Sequence, residues 1–276
     1  MAAPTHGAVV VGVGGSEEDL QVVREAAGVA AAHGRPLHLL HAFNWAAALE
    51  APYVSGPRAA AEELLERAGQ VAGEVEPAVP VSGEIVEGSS VDALIRASDS
   101  AFLVALGDGG MANCGDCVPA DAPAVQLAAR AGCPVLVGRP EPPPPGPVLV
   151  GVDGSPSADT ALGFAFDHAA RRGARLLAVR VVEPGRPDGG ADLLEQAVAR
   201  CGRDHPGVPT ECHTIVGDPD TVMVEQSRSA QMSLVGARGD EPWRGMLGEV
   251  SQSLLYHSPG PVIVVRGIDP QSEGRA

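Results

Sequence analysis

The chain has 276 residues, 45% hydrophobic and 20% charged, a balance that suits globular domains and excludes a disordered chain. Acidic residues outnumber basic ones 35 to 19 for a formal charge of −16, and both halves share the excess: 7 Arg against 17 Asp and Glu over 1–140, and 12 against 18 over 141–276. Such a field repels phosphate backbones and anionic lipid, and argues against nucleic-acid and membrane partners.

Met1 to His6 carries no basic region, and the apolar run Ala8–Val13 after it is too short to span a bilayer. Neither a secretion signal nor a membrane segment is expected, and with only five Cys the expected location is the cytoplasm, with reduced thiols. Gly12-Val-Gly-Gly-Ser-Glu17 lacks the third Gly or Ala of a dinucleotide fingerprint and reads as a turn. Further along, Cys114-Gly-Asp-Cys117 has the spacing of a dithiol switch or half a zinc site. No second Cys or His pair stands at ligand spacing, so two loop thiols and no metal are expected. Arg139-Pro-Glu-Pro-Pro-Pro-Pro-Gly-Pro147 excludes helix and reads as a semi-rigid spacer.

Beyond the spacer, apolar runs alternate with helical patterns. Val148–Val152 is a buried strand ending in Asp-Gly-Ser, a turn and helix cap. Ala158–Arg171 carries an apolar face of Ala161, Leu162, Ala165, Phe166 and Ala169, and Gly173 closes the helix. The same reading gives strands at Leu176–Val182, Thr214–Val216, Met232–Val235 and Pro261–Val265, with helices at Ala191–Cys201, Asp220–Ala230 and Ser251–His257.

The chain matches itself. Ser16 falls on Ser155 at an offset of 139 residues, Gly107 on Gly236 at 129, and Cys133-Pro-Val-Leu-Val137 on Gly260-Pro-Val-Ile-Val264 at 127. The order is kept and the offset changes only twice, first through a longer loop at Asn44–Arg58. Two homologous domains follow: 1–140, a linker over 141–147, then 148–267 and a tail over 268–276. Continuous apolar strands alternating with helices imply a parallel sheet covered on both faces. The fold class is therefore α/β, two tandem doubly wound (Rossmann-like) domains, each with a five-stranded, mainly parallel sheet.

In such sheets ligands sit beyond the carboxyl ends of the strands. That selects Val152, Asp153, Gly154 and Ser155 after the first strand of the second copy, and Gly236 to Gly239 after its fourth. Glycines there let backbone amides approach a phosphate, and a following helix N-terminus adds its dipole. Gly-rich turns also serve purely structural ends, and Asp153 reads equally as a turn or cap carboxylate.

Gly151-Val-Asp-Gly-Ser155, Gly236-Ala-Arg-Gly239, Gly245-Met-Leu-Gly-Glu-Val-Ser-Gln252 and His257-Ser-Pro-Gly-Pro-Val-Ile-Val-Val265 together resemble the universal stress protein family. The resemblance runs from about Ala8 to Arg266 and is weaker in motif over the first copy. It implies ATP, with Mg²⁺, in the second domain. Val152 and Asp153 with the backbone near Val182 would hold the adenosine, and Gly236, Arg238, Gly239, Gly248, Val250 and Ser251 the ribose and phosphates. It also implies edge-to-edge pairing of Val135–Gly138 with Val262–Val265, an intramolecular pseudo-dimer, and readiness to form a homodimer.

The second domain departs from the family pattern at its phosphate loop. Gly239 and Gly248 are separated by eight residues, one fewer than the family spacing, and Glu249 replaces a Ser or Thr. The lost hydroxyl hydrogen bond costs about 1.5–3 kcal/mol. A like charge a few Å away, at an effective dielectric of about 20, adds up to roughly 4 kcal/mol. Glu249 has three escapes: solvent, a pairing with Arg238 or Arg244, or a shared Mg²⁺. The first domain has Gly14 for the turn Asp and an acidic loop with Asp108, Asp116 and Asp121, so no nucleotide is expected there.

The function expected is a stress-response regulatory or binding protein with no catalytic residues. The alternatives are an interaction module without nucleotide, or a weak ATPase using Glu249. All basic residues are Arg, so a Walker-type Lys and a Schiff-base amine are excluded.

Overall fold

The computed structural model describes residues 5–43, 57–109, 122–185, 190, 192–237 and 246–266. Two compact units divide it: 1–109 with 131–141, and 110–130 with 142–276.

The first unit runs β1 (Val9–Gly12), α1 (Glu17–His33), β2 (Leu37–Phe43), α2 (Pro57–Val75), β3 (Val81–Glu87), α3 (Ser90–Ser98), β4 (Leu103–Gly107) and, further along the chain, β5 (Val135–Gly138). Its strands pair in parallel in the order β3-β2-β1-β4-β5. Val9, Val10 and Val11 are fully buried at its centre. A continuous apolar run with no polar alternation fits a strand with helices on both faces.

The second unit holds α4 (Pro123–Arg130), β6 (Val148–Gly151), α5 (Pro156–Arg172), β7 (Leu176–Val182), α6 (Leu193–Cys201), β8 (Thr210–Val216), α7 (Pro219–Ser227), β9 (Met232–Gly236), α8 (Glu249–His257) and β10 (Val262–Val265). The order β8-β7-β6-β9-β10 is again parallel throughout. Thus both described units are doubly wound α/β, as the sequence implies. The guanidinium of Arg266 donates to the carbonyls of Ala128 and Ala129, two of the unpaired acceptors that end α4.

The repeat is visible down to the helix caps. Ser16 and Ser155 each accept an N–H of the first turn, from Asp19 and Ala158. Gly34 and Gly173, at the same offset of 139, end the two helices in the left-handed conformation at φ 59° and 62°.

Several element boundaries differ from the sequence reading, among them those of β8, α7 and α8. Strand β8 begins four residues earlier, at Thr210, because it pairs with β7 from Leu176↔Thr210 onward, and its polar Thr-Glu-Cys-His start has no apolar run. Helix α7 stops at Ser227, whose hydroxyl bonds back to the Val224 carbonyl. Helix α8 begins at Glu249, two residues before Ser251, with Gly248 as its N-cap. No helix among the described residues is long and apolar enough to cross a membrane.

Candidate functional site

The carboxyl ends of β6, β7 and β9 enclose a cleft of about 370 Å³ in the second unit. Val152, Asp153, Val182, Gly236, Val250 and Ser251 all line it, so six of the ten residues singled out in the sequence meet there.

Each wall has a local cause. Val152 continues β6 by one bond, donating its N–H to the Val179 carbonyl at 2.9 Å. The exposed Asp153 carboxylate then accepts the Ser155 N–H at 2.9 Å, closing an Asx turn that delivers the chain to the cap of α5. Asp153 is thus the turn carboxylate of the structural reading while standing on the cleft wall. The Ser155 and Ser157 hydroxyls lie 3.2 Å apart beneath it. Gly236 must be glycine: a Cβ would lie 2.5 Å from Ser157 Oγ and 3.0 Å from the Ser157 carbonyl carbon.

The other wall is the start of α8, pinned to the end of β9. Ser251, buried, donates its hydroxyl to the Gly236 carbonyl at 2.7 Å, and the Gly248 N–H donates to the Ala237 carbonyl at 2.8 Å. Gly248 supplies no side-chain cap, so the first-turn amides of α8 receive no acceptor from that position. Such a helix start favours an anion. Glu249 already puts one there: it is the first helical residue, and it is exposed. Neither Gly248 nor Glu249 lines the cleft itself. Arg238 and Gly239, and the partner candidate Arg244, lie outside the described residues.

A family model for the universal stress proteins matches residues 6–139 and again 146–266. The chain belongs to the universal stress protein family. A universal stress protein of Mycobacterium tuberculosis is 33% identical over 288 residues, covering 95% of this chain and 97% of the relative. One of Mycolicibacterium smegmatis is 32% identical over 292 residues, with 95% and 98% covered. Among solved structures, a universal stress protein of Archaeoglobus fulgidus aligns with a TM-score of 0.65 at 20% identity, over 95% of this chain and 97% of that one. The universal stress protein of Pseudomonas aeruginosa reaches 0.67 at 16%, over 94% and 92%. At such identities these structures speak for the fold.

In this universal stress protein the cleft has residues that the motif reading missed. Arg180 is 7% exposed in the middle of β7 and lines the cleft, its guanidinium 3.4 Å from the Gly190 carbonyl that it donates to. A single Arg inside Leu-Leu-Ala-Val-Arg-Val-Val was the available signal, since a charged side chain is rarely placed in a buried strand. Pro219 and Met223 add an apolar flank from α7, whose approach to β6 has no signal in the chain's local pattern.

In the first unit the corresponding corner contains a carboxylate. Asp19 stands at the repeat position of Ala158, a lining residue of the cleft. Its Oδ2 accepts the Ser16 N–H at 2.9 Å and the Ser16 hydroxyl at 2.6 Å. The same carboxylate lies against the ends of β1 and β4, 2.4 Å from where a Cβ on Gly14 would sit and 3.3 Å from one on Gly107.

Of the cysteines, Cys114 and Cys117 lie outside the described residues. Burial pushes the Cys133 thiol up to about 12 and raises Cys201 and Cys212, so these three hold little thiolate. No group of three His, Cys, Asp or Glu able to hold a metal occurs among the described residues.

Proposed function

We propose that the second unit binds an adenine nucleotide in the cleft at the ends of β6, β7 and β9, and that the protein acts as a regulatory binding protein without a dedicated reaction. The observation that carries this reading is convergence: Val152, Asp153, Val182, Gly236, Val250 and Ser251 come from separate stretches of chain and line one cleft. Membership of the family supports the assignment of ends, adenosine toward Asp153 and the Val182 backbone, phosphates toward Gly236 and the start of α8. Physical chemistry supports the same polarity. Met223 and Pro219 offer an apolar surface for a purine, while the α8 amides and dipole favour phosphate. About 370 Å³ falls within the range of small-molecule sites.

ATP with Mg²⁺ is the first ligand to assign. Glu249 puts an acid near the phosphate end, and a polyphosphate is best tolerated beside it when a divalent cation lies between them. The same residue favours a second reading, an interaction module in which the site is electrostatically silenced.

Calorimetric titration of Mg-ATP into the whole chain, beside Glu249→Ser, separates the two. Binding near one site per chain by the parent supports the nucleotide reading. Silence in the parent with recovery in Glu249→Ser makes the second unit a competent fold blocked by one charge. Silence in both removes the nucleotide and leaves the interaction module.

A further inference from the structure

A serine, a histidine and a glutamate meet on β2 and β3 of the first unit, remote in sequence from the nucleotide cleft. His38 on β2 is directly opposite Ser82 on β3, and Leu40 is opposite Glu84, so Ser82 and Glu84 flank His38 on one face of the parallel pair. His38 as a whole is 1% exposed. Its Nδ1 lies 2.9 Å from Ser82 Oγ and its Nε2 3.4 Å from Glu84 Oε1. Ser82 is exposed, and β3 is an edge strand of its unit.

The fold does not require this trio. In the second unit the paired positions are Leu177 and Glu211, with neither imidazole nor hydroxyl. Nor is it a settled hydrogen-bond set, since Nε2 is buried without a hydrogen-bond partner among the described residues and the carboxylate stands just beyond bonding geometry. A negative charge beside Nε2 favours the tautomer protonated there. That leaves Nδ1 as an acceptor, aimed at the exposed Ser82 hydroxyl.

We propose that Ser82 is a nucleophile, with His38 as its general base and Glu84 as the residue that positions and balances the imidazole, and that it takes an acyl group from small activated esters. In the step, Ser82 Oγ bonds to the acyl carbon while its proton passes to His38 Nδ1. The carbon–oxygen bond to the leaving group breaks, and its electron pair departs with the alkoxide or aryloxide. The imidazolium so formed faces the Glu84 carboxylate, the charge pairing absent before the step. Leu39, Val81 and Gly83 alternate with the trio along the strands and, with Leu65, Gly69 and Ser82 itself, line a shallow groove. Ser82 is exposed and is approached from solvent, which suits a small donor. The inference stands apart from the nucleotide reading, because no residue is shared.

The test is p-nitrophenyl acetate on the whole protein, following p-nitrophenolate release and mapping the acetyl group by peptide mass spectrometry. The expected result is a burst of about one aryloxide per chain with the acetyl on the Ser82 peptide, lost in Ser82→Ala, an exposed substitution that leaves the packing intact. His38→Gln should slow the burst on the order of 100-fold or more, the scale of a general base. Nitrogen NMR of the His38 ring gives a second readout that needs no reaction: Nδ1 bare and Nε2 protonated in the parent, with that preference weakened in Glu84→Gln. An acetyl group spread over other nucleophiles, a burst unchanged in Ser82→Ala, or an Nδ1-protonated ring would overturn the proposal.

Discussion

Glu25 on α1 shows how one side chain can couple this fold to pH. Its Oε2 is buried against Gly138 with no hydrogen-bond partner among the described residues. Nearby, Arg139 and Asp108 are almost wholly buried with 3.5 Å between Nη1 and Oδ2. Arg139 has one buried anion as a partner already, so a second ionised carboxyl gains too little from it to repay desolvation. Burial raises the Glu25 pKa from 4.5 to about 8, against smaller lowering effects of the Gln21 hydrogen bond and the Arg139 charge. The folded chain then holds a proton that the unfolded chain has released over that window. Its contribution to stability is whole below about pH 4.5 and is lost as pH rises through about 8. Glu25→Gln copies the protonated form. Urea unfolding at several pH values should show the decline flattened in the variant, with a gain at pH 9 on the order of a few kcal/mol. Parallel curves for the two proteins would mean that Glu25 ionises freely in the fold.

Among the elements, α8 shows how a helix start can be held by something other than its own cap. Ser251 sits at the third helical position, yet its hydroxyl reaches across to the end of β9 at Gly236 rather than to an amide of its own first turn. This bond fixes the helix start, and so the wall formed by Val250, against the glycine that opens the cleft. Ser251→Ala leaves the Gly236 carbonyl without that donor and should cost about 1 kcal/mol of stability in chemical denaturation. It should also weaken Mg-ATP by a larger factor than an N-cap loss at the other side of the cleft, Ser155→Ala, which costs about the same stability. Equal effects of the two substitutions on affinity would show that α8 needs no such tether. The sequence reading starts this helix at Ser251, and only the backbone geometry starts it at Glu249, with Gly248 as an N-cap that has no side chain to mark it.

For the molecule as a whole, charge decides how an anionic ligand arrives. At −16 the protein repels a nucleotide from a distance, while the contacts that would hold it act over a few Å. Raising ionic strength from about 0.01 to about 0.15 M shortens the screening length from roughly 30 to 8 Å. Long-range repulsion then fades before short-range attraction does. Mg-ATP affinity should therefore rise with salt over this range, by roughly several-fold, opposite to the trend of a basic phosphate-binding protein. A dissociation constant that climbs steadily with salt would mean that cationic side chains near the phosphates dominate the distant field.

The amino-acid sequence by itself determined the two-fold repeat, the parallel α/β class and strands such as β7, found from Leu176 to Val182 as read. Those are local quantities, set by runs of apolar residues and by caps such as Ser155 and Gly173, and they repeat at a fixed offset whatever the chain does elsewhere. The resemblance to the universal stress proteins also picked out six residues of the cleft. What tertiary structure decided is where polar groups end up. Arg180 is buried on a wall, Asp19 fills a corner in the first unit, and His38 meets Ser82 only through strand register. A charged or polar side chain carries no periodic signal of its partner, because the partner comes from another element and is chosen by packing. Even the polar half of β8 is a strand only because β7 lies beside it.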